Sequence, residues 1–279
     1  MAAPFTRVLL ASEHGEHDAG AEALAFALAT HCALPLAAVL PVRSNPELEA
    51  SAPQLAARLD AEAARARSGL EAAARAAGVT LALQVRHGPE PYAEIVAEAR
   101  ATAAELVVVR RRGRRGVLAN LLMGEMVSQV VAHAPCSVLV VPRGARMWQN
   151  GVLAGVDPRA PDPAAVLQAA ALAAQCGVPL VVLCVAEGAA AAAAEAVLAE
   201  MLAGARARHG ATRGMVRAGR VHQVLIDVAR EQGCDLLVVG RHGGASLARA
   251  WIGGTAQKVI GLAECPVLVH VPARPGDHP

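Results

Sequence analysis

Short apolar runs alternate with amphipathic or alanine-rich stretches along the whole chain. The apolar runs predict strands at 5–12, 36–42, 79–86, 105–110 and 136–141, and again near 151–157, 179–186, 211–218, 235–240 and 266–271. Helices are predicted between them, in the first half at 18–33, 53–77, 89–103 and 124–133. Continuous runs such as Leu106–Val109 and Leu236–Val239 indicate strands buried on both faces, which is typical of a parallel sheet.

The second half of the chain repeats the first. Val8–Glu13 aligns with Val152–Asp157 at an offset of 144 residues. Glu105–Val109 aligns with Asp235–Val239 at an offset of 130 residues. A repeat of this length is a domain duplication. We therefore predict two domains, 1–145 and 146–279, joined by a linker at 143–150.

Five strands alternating with helices predict a doubly wound α/β fold in each half. Such a sheet binds ligands beyond the carboxyl ends of its strands, where the strand order reverses. Pro89 and Pro163 are predicted to lie in the first turn of a helix, where a missing N–H is tolerated.

Composition narrows the classes of function. The chain is 54% hydrophobic but 2% aromatic, and its formal net charge is +2. High apolar content excludes disorder, and the small charge and few rings argue against nucleic-acid binding. A strongly apolar, uncharged stretch of about 20 residues, which a membrane span requires, is missing. Six cysteines without a CxxC pair predict reduced thiols in the cytoplasm.

A glycine-rich loop in the second half is the sharpest motif. Gly240-Arg241-His242-Gly243 follows a predicted strand, and nine residues later Gly253-Gly254-Thr255 opens a predicted helix. Glycines at a strand-to-helix turn let backbone N–H groups approach a phosphate, which the helix N-terminus also favours. The spacing matches neither the Walker loop nor GxGxxG.

With this loop and the strand that follows it, Cys265–Val269, the sequence resembles the universal stress protein family, twice over in one chain. The resemblance implies two five-stranded domains like the adenine-nucleotide alpha-hydrolases, strand order 3-2-1-4-5, and a stress-response role. It also implies that ATP, with or without Mg²⁺, binds in the second half. The implied nucleotide ligands are Asp157, Val185, Gly240, Arg241, His242, Gly243, Gly253, Gly254 and Thr255. Gly254 departs from the family pattern, which usually has Ser or Thr there.

Family members often pair their last strands across a dimer. The resemblance therefore implies that 136–141 and 266–271 pair within the chain as an internal pseudo-dimer, with a homodimer left open. An unidentified protein partner is also implied.

The first half has lost the glycine pattern. Arg110 replaces the first glycine, Glu125 occupies the hydroxyl position, and Glu13 stands where the second half has Asp157. A carboxylate close to a phosphate repels it. We therefore predict that the first half binds ATP weakly or not at all. The role of the arginine-rich segment 110–115 is left open.

Other candidate chemistry is weaker. The segment 13–18, rich in Glu and His, is interpreted as a surface loop with Asp18 as helix N-cap, not as a metal site. No catalytic residue is assigned. The scarcity of rings predicts that an adenine is held by aliphatic side chains and backbone. A protein-interaction module without nucleotide and a slow ATPase are the alternative functions.

Overall fold

The computed structural model describes residues 4–45, 51–111, 124–241 and 251–272. The chain divides into two compact units, one within residues 5–147 and one that begins at Trp148. Trp148, which the sequence places in the linker, is buried.

The first unit alternates strands and helices from end to end. Its elements are β1 (Val8–Ala11), α1 (Ala19–Cys32), β2 (Leu36–Arg43), α2 (Pro53–Ala76), β3 (Leu81–Gly88), α3 (Pro91–Ala101), β4 (Leu106–Arg110), α4 (Glu125–His133) and β5 (Ser137–Val141).

The second unit has the same succession. Its elements are β6 (Val152–Val156), α5 (Pro163–Cys176), β7 (Leu180–Val185), α6 (Ala190–Arg208), β8 (Thr212–Arg217), α7 (Val221–Glu231), β9 (Leu236–Gly240), α8 (Gly254–Leu262) and β10 (Val267–His270).

Both units contain a parallel sheet with the predicted order. In the first unit the order is β3-β2-β1-β4-β5, and in the second it is β8-β7-β6-β9-β10, which is 3-2-1-4-5 in each case. In the first unit, Val8 pairs with Leu36 on one side and with Leu106 on the other. The order therefore reverses beside β1 and beside β6, and the predicted doubly wound fold is confirmed.

The central strands are buried on both faces, as their Val and Leu runs predict. Every residue of β1, β4 and β5 is buried, and Leu9, Leu106 and Leu153 have no more than 1% of their surface exposed. Burying a leucine side chain fully contributes about 1.5–3 kcal/mol. By contrast β3, at the edge of its sheet, alternates between partly buried and exposed positions.

Of the two prolines predicted to lie in the first turn of a helix, one prediction is confirmed and the other is wrong. Pro163 is the first residue of α5, and the Asp162 side chain caps that helix by accepting N–H bonds from Ala164 and Ala165 at 3.0 and 3.2 Å. Pro89 is not in a helix, because α3 begins at Pro91. Pro91, and not the predicted Pro89, supplies the fixed φ at the start of α3.

The longest helices are not membrane spans. Although α2 has 24 residues, only three of its residues are buried and several of its side chains are charged. None of the helices in the described part of the chain is long and apolar enough to cross a bilayer.

Helix α1 lies directly against the chain that leaves β5. A Cβ atom on Gly20 would lie 2.5 Å from the backbone oxygens of Pro142 and Arg143. A Cβ on Gly204, within α6, would meet its nearest neighbour, Leu167, at an ordinary 3.6 Å. The two helical glycines therefore differ in the space available to a side chain.

We expect Gly20→Ala to destabilise the protein by about 1–3 kcal/mol, the usual cost of overpacking. Gly204→Ala, the matched control, should stabilise it by about 0.5–1 kcal/mol through higher helix propensity. Urea unfolding, monitored by circular dichroism, measures the free energy of unfolding of both variants. A Gly20→Ala protein as stable as the Gly204→Ala protein would contradict the close contact.

Candidate functional site

A cavity of about 450 Å³ lies at the carboxyl edge of the second sheet. The ends of β6, β7 and β9 and the start of α8 surround it, at the point where the strand order reverses. Seven of the nine predicted ligand residues line it: Asp157, Val185, Gly240, Arg241, Gly253, Gly254 and Thr255. The other two, His242 and Gly243, lie outside the described residues.

Asp157 follows β6 and is held by an arginine two residues further on. The Asp157 carboxylate accepts hydrogen bonds from Arg159 Nε at 3.1 Å, from Arg159 Nη2 at 3.2 Å and from the Arg159 backbone N–H at 3.0 Å. These bonds raise the pKa of the Arg159 guanidinium. Arg159 is not among the ligand residues predicted from the sequence, although its place near the strand end was a signal for it.

The start of α8 is fixed by backbone bonds to the end of β9. The Gly253 N–H donates to the Arg241 carbonyl at 3.0 Å, and the Arg241 N–H donates to the His270 carbonyl at 3.1 Å. Gly253 is the N-cap of α8, and Gly254, Thr255 and Ala256, all at the cavity, form its first turn. First-turn N–H groups have no acceptor within their own helix, and they carry partial positive charge. This corner of the cavity suits an anion.

Gly254 has room for a side chain. A Cβ atom built there meets nothing within 4 Å, and the backbone is not in the left-handed region. The Ser or Thr typical of the family would therefore fit sterically at this position.

The backbone after β7 is partly committed. The N–H of Ala186, the residue after Val185, donates to the Arg217 carbonyl of the neighbouring strand β8 at 2.9 Å. The predicted contribution of this segment to holding a nucleoside must therefore come from groups other than that N–H.

Asp162 lines the cavity as well, but it serves the fold. Besides capping α5, its carboxylate lies 3.6 Å from Nε2 of His270. His270 is buried and its Nδ1 is paired with Gln168 Oε1 at 2.7 Å. Burial lowers the pKa of His270, and the charge of Asp162 opposes that shift. Glu187 is the third carboxylate at the cavity.

Trp251 supplies the ring that the composition argued against. It lines the cavity with 56% of its surface exposed, while the next residue, Ile252, is 2% exposed and anchors the segment. Tryptophan is highly buried on average and is enriched at interfaces. The prediction that an adenine is held mainly by aliphatic side chains and backbone did not include this ring. Its position two residues before Gly253 was the signal that the sequence reading overlooked.

At the corresponding place in the first unit, the side chain of Arg110 is buried between two carboxylates. Nη1 donates to Asp18 Oδ2 at 2.6 Å and Nη2 donates to Glu13 Oε2 at 2.5 Å. The side chains of Arg110 and Asp18 are 6% and 1% exposed. Arg110 ends β4, and Gly240 ends the corresponding strand β9 of the second unit. The first unit therefore has a guanidinium at the strand end where the second unit has its cavity.

The predicted N-cap position of Asp18 is confirmed, but the prediction that it caps the helix from a surface loop is wrong, because its side chain is buried. Asp18 holds the N-cap position of α1, but its side chain makes no cap bond. It instead accepts from Arg110 and from the Gly15 N–H at 2.9 Å. The charge on Arg110 offered a stronger partner than the helix N–H groups.

A second polar cluster joins this loop to helix α1. Glu22 is buried and accepts from Ser12 Oγ at 2.5 Å, and it pairs with His14 Nδ1 at 3.1 Å. The side chains of segment 13–18 are thus partly used inside the first unit. Glu125, the residue at the hydroxyl position, is the first residue of α4.

Comparisons with known proteins agree with this architecture. A model of the universal stress protein family matches residues 4–142 and 150–272. A universal stress protein from Archaeoglobus fulgidus is 16% identical with a TM-score of 0.77, covering 96% of this chain and 97% of its own. The cytoplasmic domain of a prokaryotic cation chloride cotransporter is 11% identical with a TM-score of 0.53, covering 96% of both chains. At these identities the two structures show likeness of fold.

We expect Arg110→Met to destabilise the protein by about 3–5 kcal/mol, because it leaves Asp18 buried without its counter-charge. Burial raises the pKa of Asp18 and Arg110 opposes that rise. Ionisation of an acid with a raised folded-state pKa lowers stability as the pH increases. The deficit of the variant should therefore be largest near neutral pH and should shrink in mild acid, where Asp18 takes up a proton.

Unfolding by urea at several pH values measures this difference. Adding Asp18→Asn to the Arg110→Met variant should restore much of the stability, because the amide carries no charge. A deficit that is the same at every pH, or that the second substitution leaves unchanged, would contradict the buried pair.

Proposed function

The chain belongs to the universal stress protein family, and from this premise we propose that its second unit binds an adenine nucleotide, in the first place ATP. Occupancy of the site would regulate a stress response through a protein partner. The observation that carries the proposal is the convergence of Asp157, Val185 and the start of α8 on one cavity.

The cavity has complementary features for the parts of a nucleotide. The first turn of α8 and its two glycines offer N–H groups to phosphate oxygens. Asp157 is an acceptor for sugar hydroxyls, and Trp251 has an exposed face on which a base can stack. Arg241 adds a positive charge at the cavity, and Mg²⁺ could accompany the phosphates.

We propose binding and not efficient catalysis. Asp157 is paired with Arg159 in the empty cavity and accepts from the sugar hydroxyls in the proposed complex, and Asp162 is engaged by the first turn of α5. Neither of these two carboxylates is therefore assigned as a general base, which must reach the proton that it removes. Slow ATP hydrolysis is the less favoured hypothesis.

A protein-interaction module without nucleotide is the second candidate function. The observation that favours it is the buried ion pairing of Arg110. In the first unit the fold is kept although the Arg110 side chain fills the end of β4, which corresponds to the strand end at the cavity of the second unit. If the second unit were also empty of nucleotide, its cavity would be a relic of the fold.

Two experiments on the full chain separate these functions. Mass analysis of the small molecules released by denaturing freshly purified protein should find ATP or ADP. Titration with Mg-ATP should change the fluorescence of Trp251, because Trp148 is buried and Trp251 lines the cavity. If no nucleotide is released and millimolar Mg-ATP does not stabilise the protein against unfolding, the interaction module is favoured.

We expect Gly254→Glu, which copies Glu125 of the first unit, to weaken ATP binding about fivefold or more, since like charges 4 Å apart repel by roughly 1 kcal/mol even in water. Gly254→Ser, the matched control, should bind ATP at least as tightly as the wild type, because it adds a donor in open space. Both should fold normally. Equal ATP affinity in the two variants would place the phosphates elsewhere.

A further inference from the structure

The carboxylate of Asp157 is already occupied within the second unit. Arg159 contacts both of its oxygens in a side-on pair, at 3.1 and 3.2 Å, and its backbone N–H adds a third bond. Both residues line the cavity. A ligand hydroxyl that approaches Asp157 therefore meets an acceptor that is engaged by a guanidinium.

In the Asp157–Arg159 ion pair, the arginine can change its partner. The Arg159 side chain is 85% exposed and the Asp157 side chain is 24% exposed. Because the guanidinium of this pair is largely in water, loss of Asp157 as its partner costs the Arg159 side chain little. The corresponding carboxylate of the first unit, Glu13, shares Arg110 with the buried Asp18, so that guanidinium cannot leave without stranding a buried charge.

The charges at the cavity decide which ligand gains from the exchange. The charged side chains among its described lining residues are Asp157, Asp162 and Glu187, and Arg159 and Arg241. An uncharged nucleoside that takes Asp157 breaks the ion pair and offers the guanidinium nothing in return. A nucleoside phosphate offers it an anion, and a guanidinium pairs with phosphate through strong, charge-assisted hydrogen bonds.

We infer that Arg159 is a specificity-determining residue that exchanges Asp157 for a ligand phosphate, and so selects phosphorylated nucleotides over nucleosides. In the empty cavity it neutralises Asp157. In the occupied cavity the sugar hydroxyls take Asp157 and the freed guanidinium turns to the phosphates. The inference rests on the proposed nucleotide site and adds to it the residue that sets the ligand's charge.

The test compares affinities along a series of ligands. Adenosine, AMP, ADP and ATP are titrated into the full chain, wild type and Arg159→Gln, with calorimetry and Trp251 fluorescence as readouts. Adenosine should bind the variant more tightly, by about twofold to fivefold, because its competitor for Asp157 is gone. ATP should bind the variant more weakly, by about threefold to tenfold, because one charge-assisted contact is lost.

Two further variants fix the interpretation. Arg230→Gln removes another exposed arginine of the second unit, one that pairs with Asp227 and Glu264 away from the cavity lining, and it should change neither affinity. Arg159→Lys keeps the charge but not the two-pronged pair. It should retain most of the ATP affinity while binding adenosine more tightly than the wild type does.

Opposite shifts for adenosine and ATP support the exchange. Affinities that shift together, or not at all, overturn it while leaving a nucleotide site in place. A wild-type protein that binds none of the four ligands overturns the proposed function and this inference with it, and it is recognised before any variant is made.

Discussion

The fold depends on parallel strands that are buried on both faces. Val and Leu side chains fill both sides of β1, β4 and their counterparts β6 and β9, so polar groups are largely displaced to the strand ends. The carboxyl ends of parallel strands meet at one edge, and the order reverses beside β1 and beside β6. Helices leave this edge toward opposite faces, and the crevice between them collects the charged residues.

An acidic residue at the end of the first strand of each unit then needs a counter-charge. Glu13 obtains it from Arg110 and Asp157 obtains it from Arg159. The chemistry is the same in both units, but the surroundings differ. Arg110 is buried together with Asp18, so its removal would leave a buried charge uncompensated, whereas the guanidinium of Arg159 is largely in water and can be replaced there by solvent or a ligand.

The fold could be predicted almost completely because its signals are local and repeated. Runs such as Leu236–Val239 identify buried strands, and the duplication supplies each element twice. The placement of Asp157 and Gly253 at one cavity agrees with what the family resemblance implied and with the strand-end rule. These features depend on backbone topology, which periodicity and glycine spacing report directly.

Side-chain partnerships were harder to predict. Asp18 fits the N-cap pattern, but it pairs with Arg110, which is 92 residues away in sequence and close only after β4 forms. Pro89 and Pro91 both fit a helix start, and local sequence does not separate them. Trp251 is one ring among few, and composition averages cannot place a single residue. Long-range charge pairing and individual rotamers are properties of the folded state.

The two arginines differ chiefly in where the chain introduces them. Arg110 is the last residue of β4, so its side chain starts within the sheet edge and is enclosed between Glu13 and Asp18. Arg159 lies in the loop after β6 and reaches its partner from the exposed rim. A residue with a long side chain at the end of β9 would approach Asp157 as Arg110 approaches Glu13. Gly240 therefore does more than permit close backbone approach: it leaves the strand end unfilled, so that the counter-charge of Asp157 comes from the rim and stays exchangeable.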